Sequence, residues 1–525
     1  MRSSEVSAVR PIDLDSLTLD DVRLGALAGQ PVTVLGLARS GISLTRFLVD
    51  AGARVTVYDG RTADELAGAI SGLGGRDVSL DLGPDVDPET TWAGAALVTT
   101  SPSITPDYPT TEPRLRDALR RLVAARAAGD PVAPALVSEA DLFLRLCPAP
   151  TVGVTGTKGK TTTASLAHAV LAADPVHPAV LGGNIGVPLI ERLPELTPEH
   201  RVVIELSELQ LPSLTHGTTV AVYTNVTADH LDRHGSVEAY RRVKRRLAEL
   251  VDPDGALVLN IEDPVVGAYA GLGAAPAVLY RLDRPVPGGL GVLDGWVVAA
   301  GVERLPLAGG GLAPAGPGGA VMPLEEIRLP GRHNGSNALA AIAVGMLFGI
   351  APDAIRGAVA GFAGVEHRLQ PVAVHDGIRY VNDSQGTQPD AVIAALRAFR
   401  PPIVLIAGGR DKGVDLSELV QVAGETLAAA VLIGESGPGL EARLREAGVP
   451  RTARAGSMDE AVATATSLAR EARAERGANA LATVLLSPAA ASFDMFEDYA
   501  ARGRAFMAAV AQLAGQPSRT DRRIE

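Results

Sequence analysis

Thr151-Val-Gly-Val-Thr-Gly-Thr-Lys-Gly-Lys-Thr-Thr-Thr163 joins an apolar β-branched run to a cluster of glycine, lysine and threonine. A β-branched strand enters a glycine turn, and the turn opens into a helix carrying a lysine and a threonine at its start. A nucleoside triphosphate needs this arrangement. Backbone N–H groups and the helix N-terminus face the phosphates, Lys160 neutralises the β- and γ-phosphates, and Thr161 reaches Mg²⁺. Gly156, Thr157, Lys158, Gly159 and Thr162 complete the cradle. The common G-x-x-x-x-G-K-[ST] pattern fails, because Val154 stands five residues before Gly159. The tighter T-G-T-K-G-K-T form remains, and its alternative is a Gly/Lys/Thr-rich surface turn.

A length of 525 residues predicts about three to four domains of ~150 residues. With 46% hydrophobic and 21% charged residues the chain reads as soluble and globular. Aromatics are only 3%, so Ala, Gly and Val must fill the interior. A net charge of −12 argues against sequence-independent binding of nucleic acid, which needs a basic footprint. Cys147 is the only cysteine, which excludes an internal disulfide and suits a reducing compartment. Neither a signal-peptide core nor an apolar run of bilayer length is present, so a cytoplasmic protein without membrane partners is expected.

A second strand–turn–helix unit precedes the first. Pro31–Gly36 reads as a buried strand, Gly36-Leu-Ala-Arg-Ser-Gly41 as a glycine turn opening a helix to about Gly52, and Arg54–Tyr58 as a strand ending at Asp59. This is a variant of the dinucleotide fingerprint, with an acidic residue about twenty positions on. Its missing middle glycine argues against ordinary NAD binding; the alternative is a turn using glycine for packing. Downstream, strands are expected at Val202–Leu206 and Val220–Asn225, and short strands with a loop over 283–320. A third α/β unit is expected from about His367, with strands at Arg379–Val381, Ile403–Ala407, Ala430–Ile433 and Thr483–Leu486 and a helix from about Pro389.

From residue 151 onward the motifs follow an order that resembles the Mur ligases, the ATP-dependent amino-acid ligases of peptidoglycan precursor synthesis. The ordered set is Thr155–Thr161, Gly182-Gly-Asn-Ile-Gly-Val-Pro188, Glu205-Leu-Ser-Glu-Leu-Gln-Leu211, Asn225-Val-Thr-Ala-Asp-His-Leu-Asp232 and Tyr240-Arg-Arg-Val-Lys244, then Leu329-Pro-Gly-Arg-His-Asn334 with Asn337, His367-Arg368, Asn382-Asp-Ser384 and Gly408-Gly-Arg-Asp-Lys412. Leu486-Ser-Pro488 with Ser492 and Tyr499 looks most like the glutamate-adding member. The resemblance implies an α/β chain of three domains. These are a Rossmann-like UDP-binding domain over 1–148, a central P-loop ATPase domain with a parallel sheet over 149–365, and a Rossmann-like C-terminal domain over 366–525. It also implies ATP and Mg²⁺ as cofactors, UDP-N-acetylmuramoyl-L-alanine and glutamate as partners, and a monomer.

The implied reaction activates a carboxylate as an acyl phosphate that an amine then attacks, so cations must dominate the site. Lys160 is one. Mg²⁺ held by Thr161, Glu205 and His230 would supply more, with Lys244 carbamylated to bind a second ion. Composition alone makes Arg241–Arg246 a solvated basic helix face, and the flanking arginines would lower the Lys244 pKa toward the reactive free amine. Glu205 and His230 could instead be a solvated strand-end carboxylate and a structural histidine. By resemblance, His333, Asn334, Asn337, Arg368 and Asp383 frame the nucleotide, and Asn184, Ser207 and Gln210 hydrogen-bond substrate. Ser40, Asp59 and Arg61 serve the UDP moiety, while Thr387, Lys412, Ser492, Phe493 and Tyr499 line the glutamate pocket.

The chain departs from the family's N-D-S-K-A-T-N at Gln385 and Gln388, and Phe493 and Tyr499 stand where the D-glutamate enzyme more often has Leu and Phe. D-glutamate is the default expectation and L-glutamate the alternative. A folylpolyglutamate-synthase-like ligase would leave the Gly36–Asp59 unit without a task. A non-catalytic nucleotide-binding scaffold would have no need of Lys160, Glu205, His230 and Lys244 together.

Overall fold

The computed structural model describes residues 10–108, 111–185, 188–229, 231–301, 316–329, 331–410, 415–477 and 480–514. Helices alternate with strands, and the strands form three sheets in two compact units that divide between Phe362 and Ala363.

The first unit holds two sheets. Its five-stranded sheet contains β1 (Pro31–Leu35), β2 (Arg54–Asp59), β3 (Ser79–Leu82), β4 (Leu97–Thr100) and β5 (Ala135–Ser138), all parallel in the order β3-β2-β1-β4-β5. Alternation along β1 sends Val32 and Val34 against Leu44 and Leu48 of the helix Arg39–Asp50. It sends Leu35 to the other face, against Leu115 and Leu119 of the helix Pro113–Ala127. The chain reverses strand order between β1 and β4, and that is where an open parallel sheet forms a crevice at its carboxyl edge.

The nine-stranded sheet contains β6 (Thr151–Thr155), β7 (Ala179–Gly183), β8 (Arg201–Glu205), β9 (Val220–Tyr223), β10 (Ala256–Asn260), β11 (Ala277–Tyr280), β12 (Gly289–Leu293), β13 (Trp296–Ala300) and β14 (Ala320–Pro323). The order is β14-β13-β12-β11-β10-β9-β6-β8-β7, and only β13 runs against its neighbours. Val152 and Val154 of β6 pack on the helices Lys160–Leu171 and Arg332–Leu347, whose inner faces are built from Ala, Leu and Val. The opposite face, through Ile204 and Tyr223, is continuous with the core of the first sheet. Asp141 locks that junction: its carboxylate accepts from Thr215 N at 2.6 Å, Thr215 Oγ1 at 2.7 Å and His216 N at 2.9 Å, and pairs with Arg145 at 3.0 Å. The two sheets therefore share one hydrophobic interior.

The second unit is a six-stranded sheet of β15 (Gln370–His375), β16 (Ile378–Asn382), β17 (Ile403–Gly408), β18 (Leu427–Ile433), β19 (Thr452–Arg454) and β20 (Ala482–Leu486). Its order is β15-β16-β20-β17-β18-β19, parallel except for β15. The helices Met458–Arg476 and Tyr499–Ala514 cover one face, and Pro389–Arg397, Ser417–Thr426 and Gly437–Glu446 the other. None of the described helices is long and apolar enough to cross a membrane.

Candidate active site

The stretch Thr151–Thr163 forms strand, turn and helix as expected. β6 lies between β8 and β9, so its loop emerges at the sheet's carboxyl edge beside Glu205 and Asn225. Two glycines make the turn possible. Gly156 (φ +144°) leaves no room for a side chain beside Thr224 Oγ1, and at Gly159 (φ +85°) a Cβ would come within 2.6 Å of Asn337 Oδ1. The loop is braced by Thr157 N to Asn225 O at 2.7 Å, Lys158 N to Asn225 Oδ1 at 2.9 Å and Thr224 Oγ1 to Lys158 O at 2.7 Å. The following helix has no side-chain cap, so its first N–H groups remain directed at the loop's open side. Lys160 Nζ donates to Gly156 O at 3.1 Å and Thr157 O at 2.9 Å, and Thr161 is buried beneath it.

Glu205, at the end of β8, is buried; Asn184 Nδ2 donates to its Oε1 at 3.1 Å. Its Oε2 is buried without a hydrogen-bond partner among the described residues. A buried carboxylate oxygen left this way is costly unless something cationic occupies the space beside it. Among the described residues no three His, Cys, Asp or Glu side chains cluster as a metal site. The set expected from the sequence contains one carboxylate, a hydroxyl, a lysine and His230, and His230 lies outside the described residues. A hard cation fits the orphaned oxygen, which stands at the end of the strand next to the one that leads into the phosphate loop.

Lys244 corrects the sequence reading. The helix Val237–Leu250 is capped by Ser236, whose Oγ accepts from Ala239 N at 3.1 Å, and it buries Tyr240, Lys244, Leu247 and Ala248 on one face. Lys244 is not part of a solvated basic face: it is 0% exposed, with Nζ donating to Thr155 Oγ1 at 3.2 Å and lying 5.6 Å from the centre of the Tyr240 ring. Burial, helped by the charge of Lys160, lowers its pKa to about 7. The arginines beside it in sequence are not the cause, since the helix turns Arg241, Arg242 and Arg245 away from it. A large neutral fraction near neutrality is the form that reacts with CO₂.

Other expected residues gather nearby. Asn337 is buried against Gly159 and donates to Asn334 Oδ1 at 3.2 Å, whereas His333 is exposed on the first turn of its helix. Ser207 and Gln210 bond one another, Ser207 N and Oγ both donating to Gln210 Oε1 at 2.9 and 3.0 Å. At the crevice of the first sheet, Ser40 lies in the first turn of the helix Arg39–Asp50. Asp59 accepts from Leu37 N at 2.8 Å and holds Arg61 through both carboxylate oxygens, at 3.0 and 2.8 Å. Burial pushes the Asp59 pKa up, but these partners outweigh it and the net shift is downward. Sequence reasoning missed Ser101, just after β4. Its hydroxyl is buried without a hydrogen-bond partner among the described residues and faces the Gly36–Gly41 turn. The signal available was a Thr-Thr-Ser strand end adjoining the glycine strand.

In the second unit the turn 382–388 is the organising element. Asp383 accepts from Ser487 Oγ at 2.6 Å and Leu369 N at 3.1 Å, and burial raises its pKa to about 6. The Leu369 bond sets the exposed Arg368 beside it. Ser384 Oγ donates to Tyr499 O at 2.7 Å, and the Tyr499 ring meets His367 edge-on at 6.2 Å. Thr387 continues the turn, half-buried, while Ser492 is buried and Phe493 is 65% exposed. Lys412 lies outside the described residues. Arg502, which the sequence reading did not single out, is fully buried and stitches these pieces together, donating to Ser384 Oγ at 3.0 Å, Ser384 O at 2.9 Å and Ala490 O at 3.2 Å.

Comparison with known proteins agrees with this geometry. Residues 154–286 match the Mur ligase middle domain, and residues 367–490 match the family described as Mur ligase, glutamate ligase domain. A protein of Symbiobacterium thermophilum named UDP-N-acetylmuramoylalanine--D-glutamate ligase is 38% identical over 93% of this chain and 100% of its own length. A Roseiflexus protein of the same name is 37% identical over 91% of this chain and 98% of its own. The crystal structure of MurF from Acinetobacter baumannii, only 15% identical, shares the fold with a TM-score of 0.50 over 94% of this chain and 98% of that one. On full-length relatives at this level of identity, the chain belongs to the Mur ligase family.

Proposed function

We propose that this chain ligates D-glutamate to UDP-N-acetylmuramoyl-L-alanine, converting ATP to ADP and phosphate. The γ-phosphoryl group passes to the alanine carboxylate and ADP leaves. The glutamate amine then attacks the acyl carbon, phosphate departs, and the nitrogen gives up a proton. The observation that carries this reading is the convergence of Lys160, the orphaned Glu205 oxygen and the buried Lys244 around one glycine loop. A nucleotide scaffold would have no reason to keep a fully buried lysine there.

Each residue has a task in this reading. Lys160 offsets charge on the transferring phosphoryl group, and the N–H groups of 156–162 orient the phosphates. Bound Mg²⁺ would be held by Thr161, Glu205, His230 and carbamylated Lys244, and would supply further positive charge. His333, Asn334, Asn337, Arg368 and Asp383 are assigned to the nucleotide. Asn184, Ser207 and Gln210 are assigned to the muramoyl-alanine end, and Ser40, Asp59 and Arg61 to the UDP end. Thr387, Lys412, Ser492, Phe493 and Tyr499 are assigned to glutamate. The segments 1–148, 149–365 and 366–525 correspond to UDP-substrate, ATP and glutamate functions. The relatives' shared name supports the D enantiomer despite Gln385 and Gln388. A reducing cytoplasm suits the lone thiol Cys147, and the chain is assigned there as a monomer.

The test is phosphate release with ATP, Mg²⁺, UDP-N-acetylmuramoyl-L-alanine and glutamate, omitting each in turn. Release that needs every component supports the reading. Release that ignores the amino acid or the UDP substrate contradicts it.

A further inference from the structure

The segment after β4 runs between the two chemical ends of the first unit. It begins at Ser101, which faces the Gly36–Gly41 turn, and reaches Tyr108, which is buried and donates its hydroxyl to Glu208 O at 2.7 Å. The Tyr108 ring meets His234 edge-on, with centroids 5.5 Å apart and planes at 84°. His234 meets Tyr240 in the same manner at 5.4 Å and 68°. The Tyr240 hydroxyl lies 3.0 Å from Thr157 Oγ1 in the phosphate loop, and its ring carries the Lys244 Nζ. Arg233, adjacent to His234, pairs with Glu208 at 2.8 Å and fixes the middle of this path.

We infer that Tyr108 and His234 are positioning residues: their ring contacts hold Tyr240 against Thr157, so the phosphate loop's grip on a nucleotide depends on a contact made by the first sheet's loop. Edge-to-face pairing requires a ring with a positive edge and a negative face, which an aliphatic side chain of similar bulk does not provide. Loss of the middle ring frees Tyr240 to leave Thr157, and the bond that Thr157 Oγ1 accepts at 3.0 Å from Thr227 N, in the segment after β9, loosens with it. The inference rests on the reading of residues 155–161 as a nucleotide site.

The experiment is calorimetric titration of the full chain with ADP in excess Mg²⁺. Wild-type protein must bind; failure there sinks the nucleotide reading itself rather than this inference. His234→Leu and Tyr108→Leu are each expected to weaken binding about threefold to tenfold, the range such ring contacts support. The double variant should be no weaker than the worse single one. His234→Phe, which keeps a ring, should bind within about twofold of wild type. Unchanged affinity in His234→Leu, equal loss in His234→Phe, or additive losses in the double variant would overturn the inference. Should His234→Leu not fold, Tyr108→Leu decides alone, with weakened binding in support and unaltered binding against.

Discussion

Lys244 Nζ lies 3.2 Å from Thr155 Oγ1, on the last residue of the strand that leads into the phosphate loop, with no exposure to solvent. A bare ammonium is expensive in such a place, whereas a carbamate facing cations is not. Lys244→Ala should therefore lose at least about 100-fold in kcat, the scale of a major electrostatic contribution. Short carboxylates such as acetate or formate should restore part of it by filling the same space. Phosphate release measured with and without added carboxylate checks both halves, and loss without rescue would count against carbamylation.

Gly159 is held twice over, by its left-handed backbone and by Asn337 2.6 Å from where a methyl group would sit. Gly159→Ala should distort the loop at a cost of about 1–3 kcal/mol, which appears as a roughly 5- to 150-fold rise in Kd for ADP. Titration of the variant measures this directly, with a melting curve to show that the fold survives.

Glu139, buried at the start of the helix Glu139–Leu146, has its pKa raised to about 7 by burial, against the opposing pull of Arg39 and the Ile190 backbone. Its folded value lies above the ordinary 4.5, so its contribution to stability is complete below that pH and fades as pH rises through 7. Glu139→Gln escapes the loss. Its stability relative to wild type should increase between pH 5 and pH 8, by at most about 3 kcal/mol. Denaturant titrations at the two pH values check the sign, and a difference that shrinks with pH would contradict it.

Asp141 ties the two sheets of the first unit together through Thr215, His216 and Arg145, all but the last by charge-assisted bonds from uncharged donors. Asp141→Ala should cost about 3 kcal/mol, because the half-buried Arg145 loses one of its acceptors and the Thr215 and His216 backbone N–H groups lose theirs. Chemical unfolding of the two proteins under the same conditions measures it.

The sequence carried the phosphate loop and the flanking strands because glycine placement and β-branched runs are local signals. It did not carry β3, β4 and β5, since Ser79-Leu-Asp-Leu82 and Ala135-Leu-Val-Ser138 are too short to stand out without neighbours to pair with. That the first two sheets share one interior depends on which faces meet, and no local signal carries that. Composition alone makes the stretch around Lys244 a solvated basic face because its neighbours in sequence are arginines, and only the family resemblance singled the lysine out. The spacing 240, 244, 247, 248 already described a buried stripe, and a charge seemed to forbid it. Arg502 escaped notice because it bonds Ser384 over 100 residues away, and Ser101 because its hydroxyl is buried without a partner among the described residues.

Phosphate release with D- and L-glutamate at equal concentration, each with UDP-N-acetylmuramoyl-L-alanine and ATP and with the product confirmed by mass, tests the proposed ligation itself. A site that pairs the amino acid's side-chain carboxylate should reject alanine and distinguish the two hands, because exchanging hydrogen and carboxylate at Cα needs a different pocket wall. Ligation with D-glutamate and little with L-glutamate or alanine is the expected result. Preference for L-glutamate would contradict the assigned handedness, and ligation of neither would contradict the assignment of glutamate itself.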